Sequence, residues 1–216
     1  MRPLPTRLNR TTMAGLFFCL DGVDGGGKST QVRMLCDWLQ ARGQQTLSLR
    51  DPGATRLGEA LREILLHRQD IPLTMTAEML LYMASRAQLV QEVIRPALEM
   101  GTVVICDRFL LANVVYQGSA GGIDVDSIWQ VGEVATGGLN PDMTFVLDLD
   151  VTTALGRIDR GFDRLESRGA EYMQKVREGF VQQSERLRDR VKIIDASQPI
   201  EVVHASIVAQ LARFEL

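Results

Sequence analysis

Apolar residues along this chain follow two rhythms that alternate. Unbroken runs such as Leu16-Phe17-Phe18-Cys19-Leu20, Thr102-Val103-Val104-Ile105-Cys106 and Met143 to Leu149 have the length and composition of strands buried on both faces. Thr46 to Arg50 and Val191 to Asp195 read as two further strands. Between these runs, apolar positions return every three or four residues. Val32, Leu35, Cys36 and Leu39 predict a helix over 28–42 that Gly43 closes, and a second helix over 56–66 follows the break at Pro52-Gly53. Leu80, Leu81, Ala84, Ala87, Leu89, Val93 and Ile94 predict a long helix over 77–100, ended by Gly101. Further helices are expected from about Asp107, over 125–136 up to Gly137-Gly138, from about Thr152, up to about Arg188, and after Pro199. A charged, irregular stretch at 160–169 interrupts that rhythm.

Five apolar strands separated by helices predict an α/β chain whose parallel sheet is covered on both faces. With no linker, repeat or low-complexity segment, one domain carrying a mobile charged flap is the simplest organisation. In open sheets of this kind ligands sit at the carboxyl ends of the strands. Those ends are Asp21 to Gly27, Arg50 to Gly53, Asp107-Arg108 and Asp148 to Asp150, and the charged residues collect there.

Composition narrows the partners. A length of 216 residues with 45% hydrophobic content allows a substantial core. A net charge of -3 argues against a nucleic-acid surface or a polybasic membrane binder. No apolar stretch is long enough to span a bilayer. Cys19, Cys36 and Cys106 lack the close pairing of a zinc site and read as core thiols of a reducing cytoplasm. The start, MRPLPTRLNRTT, has three arginines and no signal-type hydrophobic core; residues 1–12 are expected to be a disordered extension preceding Met13.

Candidate chemistry begins at Gly22-Val23-Asp24-Gly25-Gly26-Gly27-Lys28-Ser29, which spells GxxxxGKS between an apolar strand and a helix. Glycines let backbone N–H groups point at phosphate oxygens, Lys28 reaches the terminal phosphates, and the Ser29 hydroxyl suits Mg²⁺. Residues 22–30, with Thr30 the last, are therefore expected to bind ATP. Asp107-Arg108 puts a carboxylate beside a guanidinium at a strand end, suited to a Mg²⁺ water shell and a phosphate, although an aspartate there also suits a helix N-cap. Arg50 before the Pro-Gly turn is expected to face the same crevice, from a position beside the phosphate loop in the sheet. Two arginines aimed at one place imply a dianion.

The combination resembles the thymidylate kinases of bacteria from Met13 onward. The resemblance rests on the GVDGxGKS form of the loop, Arg50-Asp51-Pro52-Gly53, Ser85-Arg86-Ala87-Gln88-Leu89, Asp107-Arg108 with Tyr116-Gln117-Gly118, Pro141-Asp142-Met143-Thr144 and Ile194-Asp195-Ala196-Ser197-Gln198, in the family's order and spacing. It implies a three-layer α/β/α P-loop kinase fold, usually dimeric, that transfers the γ-phosphoryl group of ATP to dTMP with Mg²⁺. It further implies one kinase domain over 13–216 with an arginine-bearing lid around 157–169.

By the same resemblance, Arg86 would bond the thymine edge with Tyr82 stacking on the ring, and Asn113, Tyr116 and Gln117 would complete the nucleoside site. Residues four apart share a helix face, which supports the first pair. Tyr116 would close the space of a ribose 2′-hydroxyl, and Asp24 would accept from the 3′-hydroxyl. Arg50 and Arg108 would hold the dTMP phosphate. Lys28, Arg108, Asp107 and the lid arginines Arg157, Arg160 and Arg164 would serve the transferring group, with Ser29, Asp107 and Glu166 as magnesium ligands. Three positions depart from the family: Tyr82 stands where phenylalanine is common, Ala112 where serine is frequent, and Gly25 where one branch carries a catalytic arginine. The competing readings are a P-loop kinase for another nucleoside monophosphate and a nucleotide-dependent switch. The switch would want a guanine-reading Asn-Lys-x-Asp sequence, which is not present.

Overall fold

The computed structural model describes residues 15–159, 161–214 and 216. Its sheet has five strands: β1 (Phe17–Gly22), β2 (Thr46–Arg50), β3 (Val103–Asp107), β4 (Met143–Asp148) and β5 (Val191–Asp195). All neighbours run parallel, in the order β2-β3-β1-β4-β5. The helices are α1 (Lys28–Gln40), α2 (Arg56–Arg62), α3 (Met75–Leu89), α4 (Arg95–Glu99), α5 (Leu110–Asn113), α6 (Val125–Thr136), α7 (Val151–Gly156), α8 (Ala170–Arg186) and α9 (Ile200–Leu211).

Strand β1 shows why the fold has three layers. Every one of its six residues is buried, and alternate side chains leave opposite faces. Phe18 and Leu20 enter the larger apolar cluster, while Phe17 and Cys19 enter the second with Val104 and Cys106. A strand buried on both sides favours apolar residues, which accounts for the continuous run Phe17 to Leu20; Asp21, near its carboxyl end, is the polar exception.

Register aligns the carboxyl ends along one edge. Arg50 lies opposite Asp107, Asp107 opposite Leu20, and Asp148 opposite Asp195. The expectation that Arg50 sits beside the phosphate loop is corrected by the strand order, because β3 stands between β1 and β2.

The long helix is longer and less regular than its periodicity suggests. It runs from Met75 to Glu99, opening into wider i→i+5 turns over Val90–Ile94. Pro96 has no N–H to donate and its ring crowds the preceding turn, so widening just upstream absorbs it. Similar wide turns extend α2 through Glu63–His67 and α5 through Val114–Ser119.

Candidate active site

The loop after β1 turns into α1 through Gly27, which holds φ at 90°. Gly25 also has positive φ, and a Cβ there would lie 2.0 Å from the Ala154 carbonyl oxygen. The loop is thus pressed against α7, leaving no room for any side chain at that position. Lys28 curls back across the loop, its Nζ donating to the carbonyls of Val23 at 2.9 Å and Gly22 at 3.2 Å and approaching Asp24 Oδ1 at 3.4 Å. The first N–H groups of α1 lack intrahelical acceptors, which makes the loop mouth an anion site.

Strand β3 delivers Asp107 and Arg108 to that mouth. Ser29 Oγ donates to Asp107 Oδ2 at 3.1 Å, so two hard oxygen donors from different strand ends stand together. Asp107 does not cap the following helix, which begins only at Leu110 after Phe109. Between them Arg108 occupies the left-handed region at φ 70°, its N–H bonded to the Leu20 carbonyl at 2.9 Å. A non-glycine residue held there stores backbone strain, and the strain aims the side chain back over the sheet edge.

The guanidinium of Arg108 gathers the local carboxylates. Its Nη2 donates to Asp24 Oδ1 at 2.9 Å and to the Tyr116 hydroxyl at 3.1 Å, and Nη1 lies 3.7 Å from Asp21 Oδ1. Burial alone would raise the Asp24 carboxyl, but Arg108 and Lys28 outweigh it and hold Asp24 well below the ordinary carboxylate range. Asp21, fully buried and only partly offset by the same two cations, is pushed up to about 7. Near neutral pH the Asp21 carboxyl is thus only partly ionised while Asp24 keeps its charge, so the carboxylates around Arg108 and Lys28 oppose an incoming anion less than their number suggests.

Beside Arg108 a cavity opens between α2, α3 and the α5 segment, lined among others by Asp24, Arg62, Tyr82, Arg86, Arg108, Asn113, Tyr116 and Gln117. Tyr82 and Arg86 reach it from successive turns of α3, as their spacing predicts. Arg86 is 1% exposed, and its planar fork is spread over Asp51 Oδ2 at 2.6 Å from Nε and Asn113 Oδ1 at 2.8 Å from Nη1. Burial raises the Asp51 carboxyl, and the Arg86 guanidinium against it restrains that rise. Ala112 on the wall offers no hydroxyl. Tyr116, buried against Phe180 and Tyr172, has its phenol pushed up by that burial despite Arg108.

Several expected positions lie elsewhere. Arg50 is exposed and tied to Glu59 at 2.9 Å, and it is not one of the residues that line the cavity. Arg164 does not point at the loop mouth: its guanidinium is taken by the carbonyls of Ile64, Leu65, Arg68 and Ile71, the otherwise open end of the α2 extension. Glu166 is 1% exposed and accepts the Asp163 N–H at 2.9 Å, within its own turn. Arg157 is exposed at the end of α7, the helix pressed on the phosphate loop. Arg160 and residues 1–12 lie outside the described residues.

Other contributors give weaker signals in the sequence. Arg62, half-buried on the cavity wall with Nη1 on the Pro52 carbonyl at 3.0 Å, reads there as an ordinary polar helix position. Asp51 and Asp163, also on the cavity wall, have the look of turn residues. Glu78 does leave a trace: Glu78, Tyr82 and Arg86 repeat at four-residue intervals, a polar stripe along an apolar helix.

Comparison with known proteins adds to this geometry. The family model described as thymidylate kinase matches residues 20–207. A thymidylate kinase of Rhodopirellula baltica is 44% identical over 195 residues, covering 90% of this chain and 79% of the relative. One from Caldanaerobacter subterraneus subsp. tengcongensis is 43% identical over 203 residues, covering 94% and 97%. The crystal structure of a thymidylate kinase from Ehrlichia chaffeensis superposes with a TM-score of 0.76 at 27% identity, covering 91% of this chain and 98% of that one.

Proposed function

The chain belongs to the thymidylate kinase family, and from that premise we propose that it transfers the γ-phosphoryl group of ATP to dTMP, giving dTDP. The observation that carries the reading is Arg108, which stands between the phosphate loop and the buried cavity and touches residues of both. ATP lies with its phosphates on residues 22–30, and dTMP enters the cavity with its base toward Arg86 and Asn113. Tyr82 stacks on the ring, Gln117 supports Asn113, Asp24 takes the 3′-hydroxyl, and Tyr116 fills the space of a 2′-hydroxyl.

Arg108 and Arg62 orient the dTMP phosphate for in-line attack; Arg62 takes the part expected of Arg50, because of those two it is the one on the cavity wall. A phosphate nucleophile already ionised at neutral pH needs no strong base, so positioning and charge neutralisation do most of the work. Lys28 and Arg157 supply further positive charge as the transferring group spreads its own over three oxygens. The segment around 157–169 acts as a lid, hinged where α7 ends and α8 begins.

Ser29 and Asp107 fit a magnesium ion, which takes one or two protein oxygens and completes its shell with phosphates and water. Among the described residues no group of three or more His, Cys, Asp or Glu side chains is placed to hold a metal ion. When bound it would neutralise phosphate charge; Asp107 would help to hold it and to orient Arg108 rather than accept a proton. Release of ADP with dTMP, dUMP, dGMP and dCMP as acceptors tests the reading. Turnover should be highest with dTMP, and preference for a purine nucleotide would sink it.

The enzyme is proposed to act as a homodimer. Leu57, Leu80 and Val134 are exposed on α2, α3 and α6, which pack side by side. Apolar residues on neighbouring helices suit a second copy of the same surface. Light scattering should give twice the chain mass, and Leu80→Glu with Val134→Glu should halve it; a native chain that runs as a monomer contradicts the interface. Among the described residues no helix is long and apolar enough to cross a membrane. The free thiols of Cys19, Cys36 and Cys106 suit a reducing compartment such as the cytoplasm.

A further inference from the structure

Behind the cavity wall a line of buried polar side chains runs from Arg86 to the end of the 157–169 segment. Arg86 Nη1 donates to Asn113 Oδ1 at 2.8 Å, Asn113 Nδ2 donates to Gln117 Oε1 at 2.8 Å, and Gln117 Nε2 donates to Glu78 Oε1 at 2.8 Å. From the other side, Arg168 Nη2 donates to Glu78 Oε2 at 2.6 Å. Arg168 is held by the Tyr172 hydroxyl at 2.8 Å, and that hydroxyl donates to the Tyr116 carbonyl at 2.7 Å. Glu78 itself is 1% exposed.

The chemistry of these groups fixes a direction. A guanidinium only donates, so both ends of the line, Arg86 and Arg168, require acceptors. The two amides between them each offer one accepting and one donating end. Such a line closes without a clash only if one member accepts on both sides through two separate atoms, and among these side chains only the Glu78 carboxylate does so, with Oε1 toward Gln117 and Oε2 toward Arg168. Every hydrogen in the relay is donated toward Glu78. With the carboxylate in place, Asn113 must turn its carbonyl to Arg86, and the wall then offers N–H groups to whatever enters.

We propose that Glu78, clamped by Arg168, is a positioning residue that sets the hydrogen-bond direction of the base pocket, so that it takes a pyrimidine with a carbonyl at its 4-position and rejects one with an amino group. The inference rests on the reading of this cavity as the nucleotide-base site. Glu78 touches no substrate; it acts through Gln117 and Asn113. An amide in its place has one acceptor for two donors. If it satisfies Arg168, it donates to Gln117, the relay reverses, and Asn113 turns its NH2 against the Arg86 guanidinium.

Three variants separate this from a merely structural role. Glu78→Gln should raise KM for dTMP by about tenfold, the scale of one lost charge-assisted hydrogen bond, and narrow the preference for dTMP over dCMP, with kcat nearly unchanged. Arg168→Met alone leaves the carboxylate accepting from Gln117 and should keep that preference. The double variant removes the competing donor, lets the substituted amide accept from Gln117, and should recover most of the preference lost in Glu78→Gln. Ordinary loss of packing would accumulate in the double variant instead.

The proposal is overturned if Glu78→Gln folds and leaves KM and preference unaltered, or if the double variant is no better than the single. Should Glu78→Gln not fold, the Arg168→Met arm still decides, since loss of the preference there contradicts the directional role. Absence of dTMP turnover in the unaltered enzyme would reject the nucleotide reading, whereas turnover with insensitive variants would reject only this inference.

Discussion

Arg108→Met lowers turnover of dTMP by about 10³-fold, the scale set by losing a preorganised donor at a developing charge. The side chain links Asp24 on the phosphate loop to Tyr116 on the cavity wall, and no other arginine among the described residues touches both. Its loss should not unfold the chain. Lys28 still faces Asp24, and Asp21, with its pKa already pushed up to about 7, responds by keeping its proton rather than standing as a bare buried charge. Steady-state kinetics beside a thermal melt check this. Near-native turnover, or a variant that melts before assay temperature, contradicts the assignment.

The second large effect is on stability. Arg86 and Asp51 are both buried to within a few per cent and meet at 2.6 Å. Arg86→Met should destabilise the chain by about 3–5 kcal/mol, because it leaves the Asp51 carboxyl and the Asn113 carbonyl facing no donor in a low-dielectric site. For a chain of this length that is a fall in Tm of roughly 10 °C. Adding Asp51→Asn should recover part of the loss, since the remaining group is then neutral. Denaturant titration of the two variants measures it; additive losses would show that the pair is not the coupled unit described.

Much of the fold was legible because it depends on local rules. The strands β1, β3 and β4 follow from apolar runs, since a strand buried on both faces tolerates little else, whereas the partly exposed edge strands β2 and β5 follow from shorter mixed runs; the phosphate loop follows from glycines followed by Lys28 and Ser29. The order of the strands is a long-range property: β3 stands between β1 and β2, so Arg50 is not beside the phosphate loop, and its side chain pairs with Glu59 instead. The irregular helices have local causes, as Pro96 shows, but the width of a turn is not written in periodicity.

Within the site, residues with one obvious chemistry were identified more readily than residues whose use depends on what lies opposite. Tyr82, Arg86, Asn113, Tyr116 and Gln117 all reach one cavity. Arg164 carries the same charge as its neighbours, yet four backbone carbonyls at the end of the α2 extension claim it, and only the packed structure shows them. Glu78 looks like a favourable charge in the first turn of a helix until Gln117 and Arg168 are found against it. Ionic partners distant in sequence leave no periodic trace.

In the proposed reaction, loop and cavity bring two nucleotides together across Arg108 for direct phosphoryl transfer. Chromatographic measurement of dTDP formed from dTMP and MgATP tests it most directly. The account predicts dTDP and ADP in equal amounts, with formation abolished in the Lys28→Met variant. An enzyme that binds ATP but accumulates no dTDP at any magnesium concentration contradicts it.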